Sequence, residues 1–266
     1  MKPPVFRSDW PDDVKALYRH DVQEIWDQRI APQIWTSYHN QLDMYLAIAG
    51  SKPLSILDVG CAQGTLALLL AERGHSVTAV DLRPQFLSYA QSRQTHGDIA
   101  FRTIDVLTDP IPGRYDLVFA NQIIEHLVYP TRLCRRLFDV LVPGGRIVIT
   151  TPSWHYVRNS LPNLASLGDP SRWEHLQNSA DGDGHFYAYT VDELAQSVAE
   201  AGFADVSVES YETPVISGHM KVRYLQRLLP YRVLQRIDRL LLAMPFAGRR
   251  LGYQLLCTGV RPGAGS

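Results

Sequence analysis

Between Leu54 and Thr150, short apolar runs alternate with stretches of helical spacing, and this alternation constrains the fold more than any other feature. Leu54-Ser-Ile-Leu-Asp58 reads as a strand, followed by a glycine-bearing turn and a helix over Thr65–Arg73. His75–Val80 is the next strand and Pro84–Gln94 the next helix. Ile99–Ile104 and Tyr115–Ala120 are strands three and four, a helix runs through Leu133 to Leu141, and Arg146–Thr150 is strand five. Parallel strands need crossovers and helices supply them, so the pattern predicts an α/β fold with a doubly wound, mostly parallel sheet.

Either side of this region the pattern differs. Residues 9–50 read as helical, with Asp9 as N-cap, Pro11 in the first turn, and a second helix from Trp35 toward Ile48 that stops at Gly50. Residues 151–189 lose the rhythm and carry many aromatics, and so long a loop is usually functional. A helix over Val191–Ala201, a strand over Ala204–Ser210, helical residues 219–244 broken at Pro230, and a last strand over Tyr253–Val260 complete the reading. The tail, Pro262 to Ser266, is expected to fray.

Composition narrows the function classes. At roughly 100–200 residues per domain, 266 residues allow one large domain or two small ones. Twenty-six basic residues meet twenty-seven acidic ones, so overall charge gives no drive toward DNA. Cys61, Cys134 and Cys257 are too few and too dispersed for a disulfide framework, which predicts reduced thiols and a cytoplasmic location. Met1–Asp13 does not read as a signal peptide, and no apolar run is long enough to span a membrane.

The most informative stretch is Ile56-Leu-Asp-Val-Gly-Cys-Ala-Gln-Gly-Thr65. A buried strand ends in Asp58, a tight turn follows, and a helix begins at Gly64, where glycines admit a ligand close to the backbone. Asp81 ends the next strand and suits a pair of ribose hydroxyls, while Asp105 follows the third. Each carboxylate singly could be only a helix or turn cap. The spacing of Gly60 and Gly64 is wrong for the G-x-G-x-x-G pyrophosphate cradle, and Asp58 beside the turn favours a cationic ligand.

These residues resemble class I S-adenosylmethionine-dependent methyltransferases, in a branch similar to the ubiquinone-pathway O-methyltransferases. Asp58-Val-Gly-Cys-Ala-Gln-Gly64 looks like the family's Asp-x-Gly-x-Gly-x-Gly motif, with Ala62 for the middle glycine. Tyr115 to Gln122 matches the fourth-strand motif, and Leu141-Val-Pro-Gly-Gly-Arg146 the turn before strand five. The resemblance implies a Rossmann-like sheet of seven strands, the last antiparallel, with residues 1–50 as a helical cap over the cofactor. Residues 51–210 and 251–262 form the methyltransferase domain, and 211–250 a basic helical insertion. It also implies S-adenosyl-L-methionine as cofactor and S-adenosyl-L-homocysteine as product. Asp58, Gly60, Cys61, Ala62, Gly64, Asp81, Leu82, Asp105, Val106 and Asn121 would be the binding residues.

Methyl transfer to a hydroxyl requires removal of a proton, and the candidate bases are His126, His155 and His185. Each could equally serve only to organise its loop. Relatives that carry Glu-x-x-Glu-His bind a divalent ion through it. Here Gln122 replaces the first glutamate, so no metal is expected, with His185 as an additional ligand were one bound. Trp154, Tyr156, Trp173, Phe186, Tyr187 and Tyr189 either line an acceptor pocket or pack the loop onto the sheet.

The expected reaction is O-methylation of a small-molecule, glycan or lipid-linked hydroxyl. The alternatives are a non-catalytic cofactor-binding module and an RNA methyltransferase. From Lys221 to Arg250, eight basic residues face one acid, Asp238, beside apolar stripes on either side of Pro230. That pattern suits a lid or homodimer face, peripheral membrane contact through 219–250, or contact with a phosphorylated acceptor.

Overall fold

In the computed structural model, β1 (Ser55–Val59) has four consecutive buried residues, Ile56 to Val59. Burial on both faces is what a strand between two helical layers requires. The structure describes residues 1–177, 184–220 and 222–263, with Arg223 described by its backbone alone. The readings that fall on Lys221, on residues 178–183 of the long loop and on 264–266 of the tail lie outside the described residues.

Six more strands follow: β2 (Ser76–Asp81), β3 (Asp98–Thr103), β4 (Tyr115–Asn121), β5 (Leu141–Pro152), β6 (Ala204–Tyr211) and β7 (Gln254–Val260). They form one sheet in the order β3-β2-β1-β4-β5-β7-β6. β1 pairs with β2, β2 with β3, and β4 with β5 in parallel, whereas β7 runs antiparallel to both β5 and β6. This is the expected Rossmann-like sheet with a reversed last strand.

By its internal contacts the chain divides into two compact units. The first comprises Met1–Asp105 and Pro214–Arg239, the second Val106–Thr213 and Leu240–Ser266.

In the first unit, α3 (Thr65–Glu72) and α4 (Pro84–Ser92) connect the strands. The N-terminal helices are α1 (Asp12–Asp21) and α2 (Pro32–Ala49), the latter ending at Gly50 as expected. Two details depart from the sequence reading. Pro11, not Asp9, occupies the cap position of α1, because the Asp9 carboxylate pairs with Arg7 instead. A π-helical turn, Val22–Trp26, follows α1 and widens the helix by one residue before it breaks. From the insertion, α7 (Pro214–Ser217) and α8 (Leu225–Leu228) lie against α2. Gln226 donates to the carbonyls of Val215 and Ile216. Pro230 does break the helical stretch, since Leu229 is extended and α9 (Tyr231–Leu242) starts afresh.

In the second unit, α5 (Pro130–Val140) and α6 (Val191–Ala199) flank the strands, and α10 (Ala247–Leu251) precedes β7. α6 has a full capping box, with Thr190 and Glu193 exchanging side chain-to-backbone hydrogen bonds. β5 is longer than expected. It takes in the Pro-Gly-Gly stretch, with a register shift where Leu141 pairs with Tyr115 and Arg146 with Leu117. The long loop is tied down by bridges from Ser153 to Tyr189 and Asn163 to Ala188, and contains 3-10 turns at Leu164–Leu167 and Pro170–Leu176.

Candidate active site

In the first unit, the parallel register from Ser55–Ser76 to Val59–Val80 delivers Asp58 and Asp81 to the same end of adjacent strands. The chain then turns sharply through Gly60 (φ 66°), Ala62 (φ 45°) and Gly64 (φ 74°), all left-handed. The turn is closed by the amide of Cys61 donating to Val80 and that of Gly64 donating to Cys61. Gly64 is required twice over, because a Cβ there would also lie 2.6 Å from the Ala90 Cβ. Ala62 is more than a glycine with a methyl added, since it is held where L-residues are strained.

Asp81 organises the same turn. One carboxylate oxygen accepts from the amide of Ala62 (3.0 Å), the other from the amide and Nε of Arg83 (3.0 and 3.3 Å). Carboxylate oxygens have further lone pairs, so the group retains capacity for ligand hydroxyls. Leu82 follows it, 52% exposed, as an apolar surface at the strand end. Asp105 lies just past β3, and the amide of Ile104 donates to the Asp81 carbonyl (3.2 Å). Burial, reinforced by Asp81, pushes Asp58 up to about 7. A hydrogen bond from the backbone of Ala67 opposes that rise and favours the carboxylate. Burial also raises the Cys61 thiol, so this cysteine is a packing residue of the turn.

Sequence reasoning missed what holds the turn from behind. Arg93 and Asp21 are fully buried and form an ion pair at 2.9 Å. Arg93 donates to the carbonyl of Gln63 (2.7 Å) and to the Thr65 hydroxyl (3.2 Å), clamping the turn and the first residue of α3. Asp21 also accepts from Tyr89 and Trp26. Gln63 donates its side-chain amide to Glu24 (2.5 Å) and Tyr38 (3.1 Å), which belong to the π-turn and α2. Burial and the neighbouring Asp21 push Glu24 up to about 7. A signal was present: Asp21 interrupts the apolar series Leu17, Asp21, Ile25, and Arg93 the series Phe86, Tyr89, Ala90, Arg93. A charge on a core-facing stripe implies a buried partner.

The second unit holds the remaining candidates. Asn121 ends β4 and accepts from Thr150 (3.2 Å), while Val106 is buried and its carbonyl takes Arg136. Gln122 has a left-handed φ of 52°, and its side-chain amide donates to Gln254 (3.0 Å), a partner the sequence did not announce. Glu125 is fully buried and accepts from the Thr151 hydroxyl (3.0 Å). Its other oxygen, Oε1, has no hydrogen-bond partner and lies 3.9 Å from His185 Nε2. His126 packs edge-on against His185, with ring centroids 4.7 Å apart, and its Nδ1 is 3.2 Å from the Gly184 carbonyl. Ligating atoms of Glu125, His126 and His185 all lie within 4.8 Å of one another.

Burial pushes Glu125 up to about 8. It pushes His185 down, with His126 adding to the effect. Both neutral forms are thus favoured, so a proton on His185 is stabilised by Glu125 only once that carboxyl group has given up its own. His155 is not part of this cluster. Its Nε2 accepts from Arg249 (2.5 Å), and burial together with Arg249 lowers its basicity. Among the loop aromatics, Tyr156, Tyr187 and Tyr189 are buried in the packing, and Trp154 is 41% exposed. The Tyr187 hydroxyl donates to the Ile124 and Leu127 carbonyls, fixing the turn that carries Glu125 and His126.

A sheet of this order, with a glycine turn and paired acidic strand ends, defines a nucleoside-binding α/β protein. The methyltransferase domain family matches residues 17–208, well over half of the chain, and the chain belongs to that family as a class I S-adenosylmethionine-dependent methyltransferase.

The chain is 32% identical over 116 residues to a ubiquinone biosynthesis O-methyltransferase of Pseudomonas entomophila, a match covering 42% of this chain and 49% of that protein. Its counterpart in Azotobacter vinelandii is 31% identical over the same length and shares. The match thus spans about half the length of these relatives.

Among solved structures, an S-adenosylmethionine-dependent methyltransferase from Mesorhizobium loti aligns with a TM-score of 0.56 at 20% identity, covering 85% of this chain and 98% of that one. The N-methyltransferase NodS from Bradyrhizobium japonicum, in complex with S-adenosyl-L-homocysteine, aligns at 0.54 and 16% identity, covering 95% and 100%. At such identities these two support the fold.

Proposed function

We propose that this chain binds S-adenosyl-L-methionine on the Asp58–Gly64 turn and methylates the oxygen of a small-molecule, glycan or lipid-linked hydroxyl. The residues of the turn suit that cofactor. The Asp58 carboxylate takes the amide of Ala67 in the first turn of α3 and so holds the turn to the strand, and Asp81 with exposed Leu82 offers an acceptor pair beside an apolar surface. When bound, the cofactor supplies an activated methyl on a sulfonium, passed to the acceptor by in-line displacement with the electron pair returning to sulfur. Burial holds Asp58 near 7, so a cation beside it favours its ionised form, and the charged substrate is bound in preference to the neutral product.

The observation that carries the oxygen assignment is the Glu125–His185 pair. A neutral, partly exposed His185 accepts the hydroxyl proton and releases it to solvent, and where Glu125 is ionised its free Oε1, 3.9 Å away, stabilises the imidazolium. His126 orients His185 through the edge-on ring contact. The ubiquinone-pathway relatives, named as O-methyltransferases, support the same choice.

The test is transfer of labelled methyl to a panel of phenolic, glycan and lipid-linked hydroxyls and matched amines. Label appearing as a methyl ether, with His185→Gln flattening the acid limb of the kcat profile, is expected. Label on amine nitrogen alone would refute the oxygen assignment.

A second reading is favoured by the convergence of Glu125, His126 and His185. One carboxylate and two imidazoles, with a buried unpartnered oxygen among them, fit a divalent transition metal better than magnesium. Such an ion would supply Lewis-acid activation of the acceptor oxygen. Activity that survives exhaustive chelation supports the metal-free reading expected from Gln122; activity lost to chelation and restored by one metal supports the second.

A further inference from the structure

We propose that Glu24, carried by the π-helical turn that follows α1, is the counter-charge for the α-ammonium group of the cofactor. The inference rests on the S-adenosyl-L-methionine reading of the glycine turn and adds to it a residue from outside the sheet. Every group involved belongs to the first compact unit.

The turn Val22–Trp26 is closed by the Asp27 amide donating to the Val22 carbonyl (2.8 Å). Single π turns of this kind are frequent at functional sites. What this one presents is a carboxyl group beside the glycine turn. Glu24 Oε2 accepts from the side-chain amide of Gln63 (2.5 Å), and Gln63 stands between Ala62 and Gly64. The same amide donates to the Tyr38 hydroxyl of α2 (3.1 Å), so Gln63 is held from two elements of the helical cap.

Glu24 has no cation of its own. Arg93 is engaged with Asp21 at 2.9 Å, with the Gln63 carbonyl and with Thr65. Among the described residues, no lysine, arginine or histidine forms an ion pair with Glu24. The ionisable groups that face it are Asp21 of α1, Arg93 at the end of α4 and Tyr38 of α2. Burial and Asp21 favour its neutral form, and an arriving cation favours the carboxylate.

Three carboxyl groups flank the turn, and their oxygens are not equally free. Asp58 is 3% exposed and takes the Ala67 amide, so it acts on a ligand through its field. Asp81 uses both oxygens on Ala62 and Arg83, and its remaining lone pairs suit ribose hydroxyls. Glu24 is only partly buried, and its Oε1 takes no hydrogen bond and is not sealed from solvent. An ammonium group brings N–H donors as well as charge and needs a carboxylate oxygen within reach, whereas a sulfonium has no N–H to offer. Glu24 is the acid of this turn that meets the first requirement.

The test is calorimetric titration of the full chain and of Glu24→Gln with S-adenosyl-L-methionine, S-adenosyl-L-homocysteine and 5′-methylthioadenosine. The last ligand keeps adenine, ribose and sulfur but lacks the amino-acid end. Titration at about pH 8 leaves Glu24, held near 7, mostly ionised. Glutamine at this position still accepts from Gln63, and an undiminished thermal transition checks that the turn is intact. The expected result is binding weakened about tenfold in the variant for both ligands that carry the ammonium, and unchanged for methylthioadenosine. At about pH 6.5 the wild type also releases protons on binding S-adenosyl-L-homocysteine, read from the dependence of binding enthalpy on the buffer, and the variant releases fewer. An equal loss for all three ligands would make Glu24 a support of the turn and overturn the proposal. Loss confined to S-adenosyl-L-methionine, or no loss at all, would overturn it too. Absence of binding by the wild type would instead bring down the cofactor reading itself, and the proposal with it.

Discussion

The two chemical regions of this protein handle buried charge in opposite ways. Behind the cofactor turn, Asp21 meets Arg93, and the arginine reaches on to Gln63 and Thr65. At the histidine cluster, Glu125 is as deeply buried; Asp21 Oδ1 and Glu125 Oε1 both lack a hydrogen bond, but the first lies 2.9 Å from the Arg93 guanidinium and the second faces only His185, 3.9 Å away. A paired buried charge fixes geometry, and loss of one partner strands the other. A buried carboxyl group with no permanent cation beside it is instead a standing cost that function accounts for, because a proton or ligand must come and go there. The first region is built to hold still, the second to react.

That contrast is breakable, and the largest expected effect comes from its rigid side. Arg93→Met leaves Asp21 buried without its cation, so urea denaturation should show a loss of about 3–5 kcal/mol. A loss below about one kcal/mol would mean the ion pair does not organise the turn. Glu125→Gln is the matching change on the reactive side. It keeps the shape and removes the ionisable group, so stability should stay within about 1 kcal/mol while kcat falls by about 10²-fold. Equal damage to stability in both variants would erase the distinction.

A pH dependence sharpens the comparison within the first unit. Glu24 is held near 7 against an ordinary value near 4.5. Its folded form is raised, so its contribution is complete below the unfolded value and lost as pH rises through about 7. Stability should therefore decline between pH 4.5 and 7, and Glu24→Gln should make that decline shallower in a pH series of thermal melts, the remainder belonging to Asp58 and Glu125. A slope unaltered in the variant would place the proton elsewhere. The smallest effect is at Ala62, whose left-handed φ of 45° suits glycine. Ala62→Gly should raise stability by up to about 1 kcal/mol, set against the added chain entropy of glycine. A destabilised variant would show that the methyl group packs usefully.

The division between legible and hidden features follows from range. Strand-helix alternation, Gly60 and Gly64, and the acids ending β1 and β2 are local patterns, and the seven strands with a reversed last one were implied by the family resemblance. The start of α1 was misplaced because Asp9, a good cap residue, had a competing partner in Arg7 two positions away. What was hidden depends on residues far apart in sequence. Asp21 with Arg93, Glu24 with Gln63, and Gln122 with Gln254 meet only after folding. Among the histidines, residue type and a place at either end of the long loop did not distinguish His185 from His155. The tertiary partner did, Glu125 for one and Arg249 for the other.

The central claim is that the two regions carry separate duties, cofactor binding and acceptor activation. Calorimetric titration of the wild type, Asp81→Ala and Glu125→Gln with S-adenosyl-L-methionine and S-adenosyl-L-homocysteine tests it most directly. The account predicts binding by the wild type, binding weakened by about 10–100-fold in Asp81→Ala as charge-assisted hydrogen bonds are lost, and unchanged binding in Glu125→Gln. No binding by the wild type, or undiminished binding by Asp81→Ala, would contradict it.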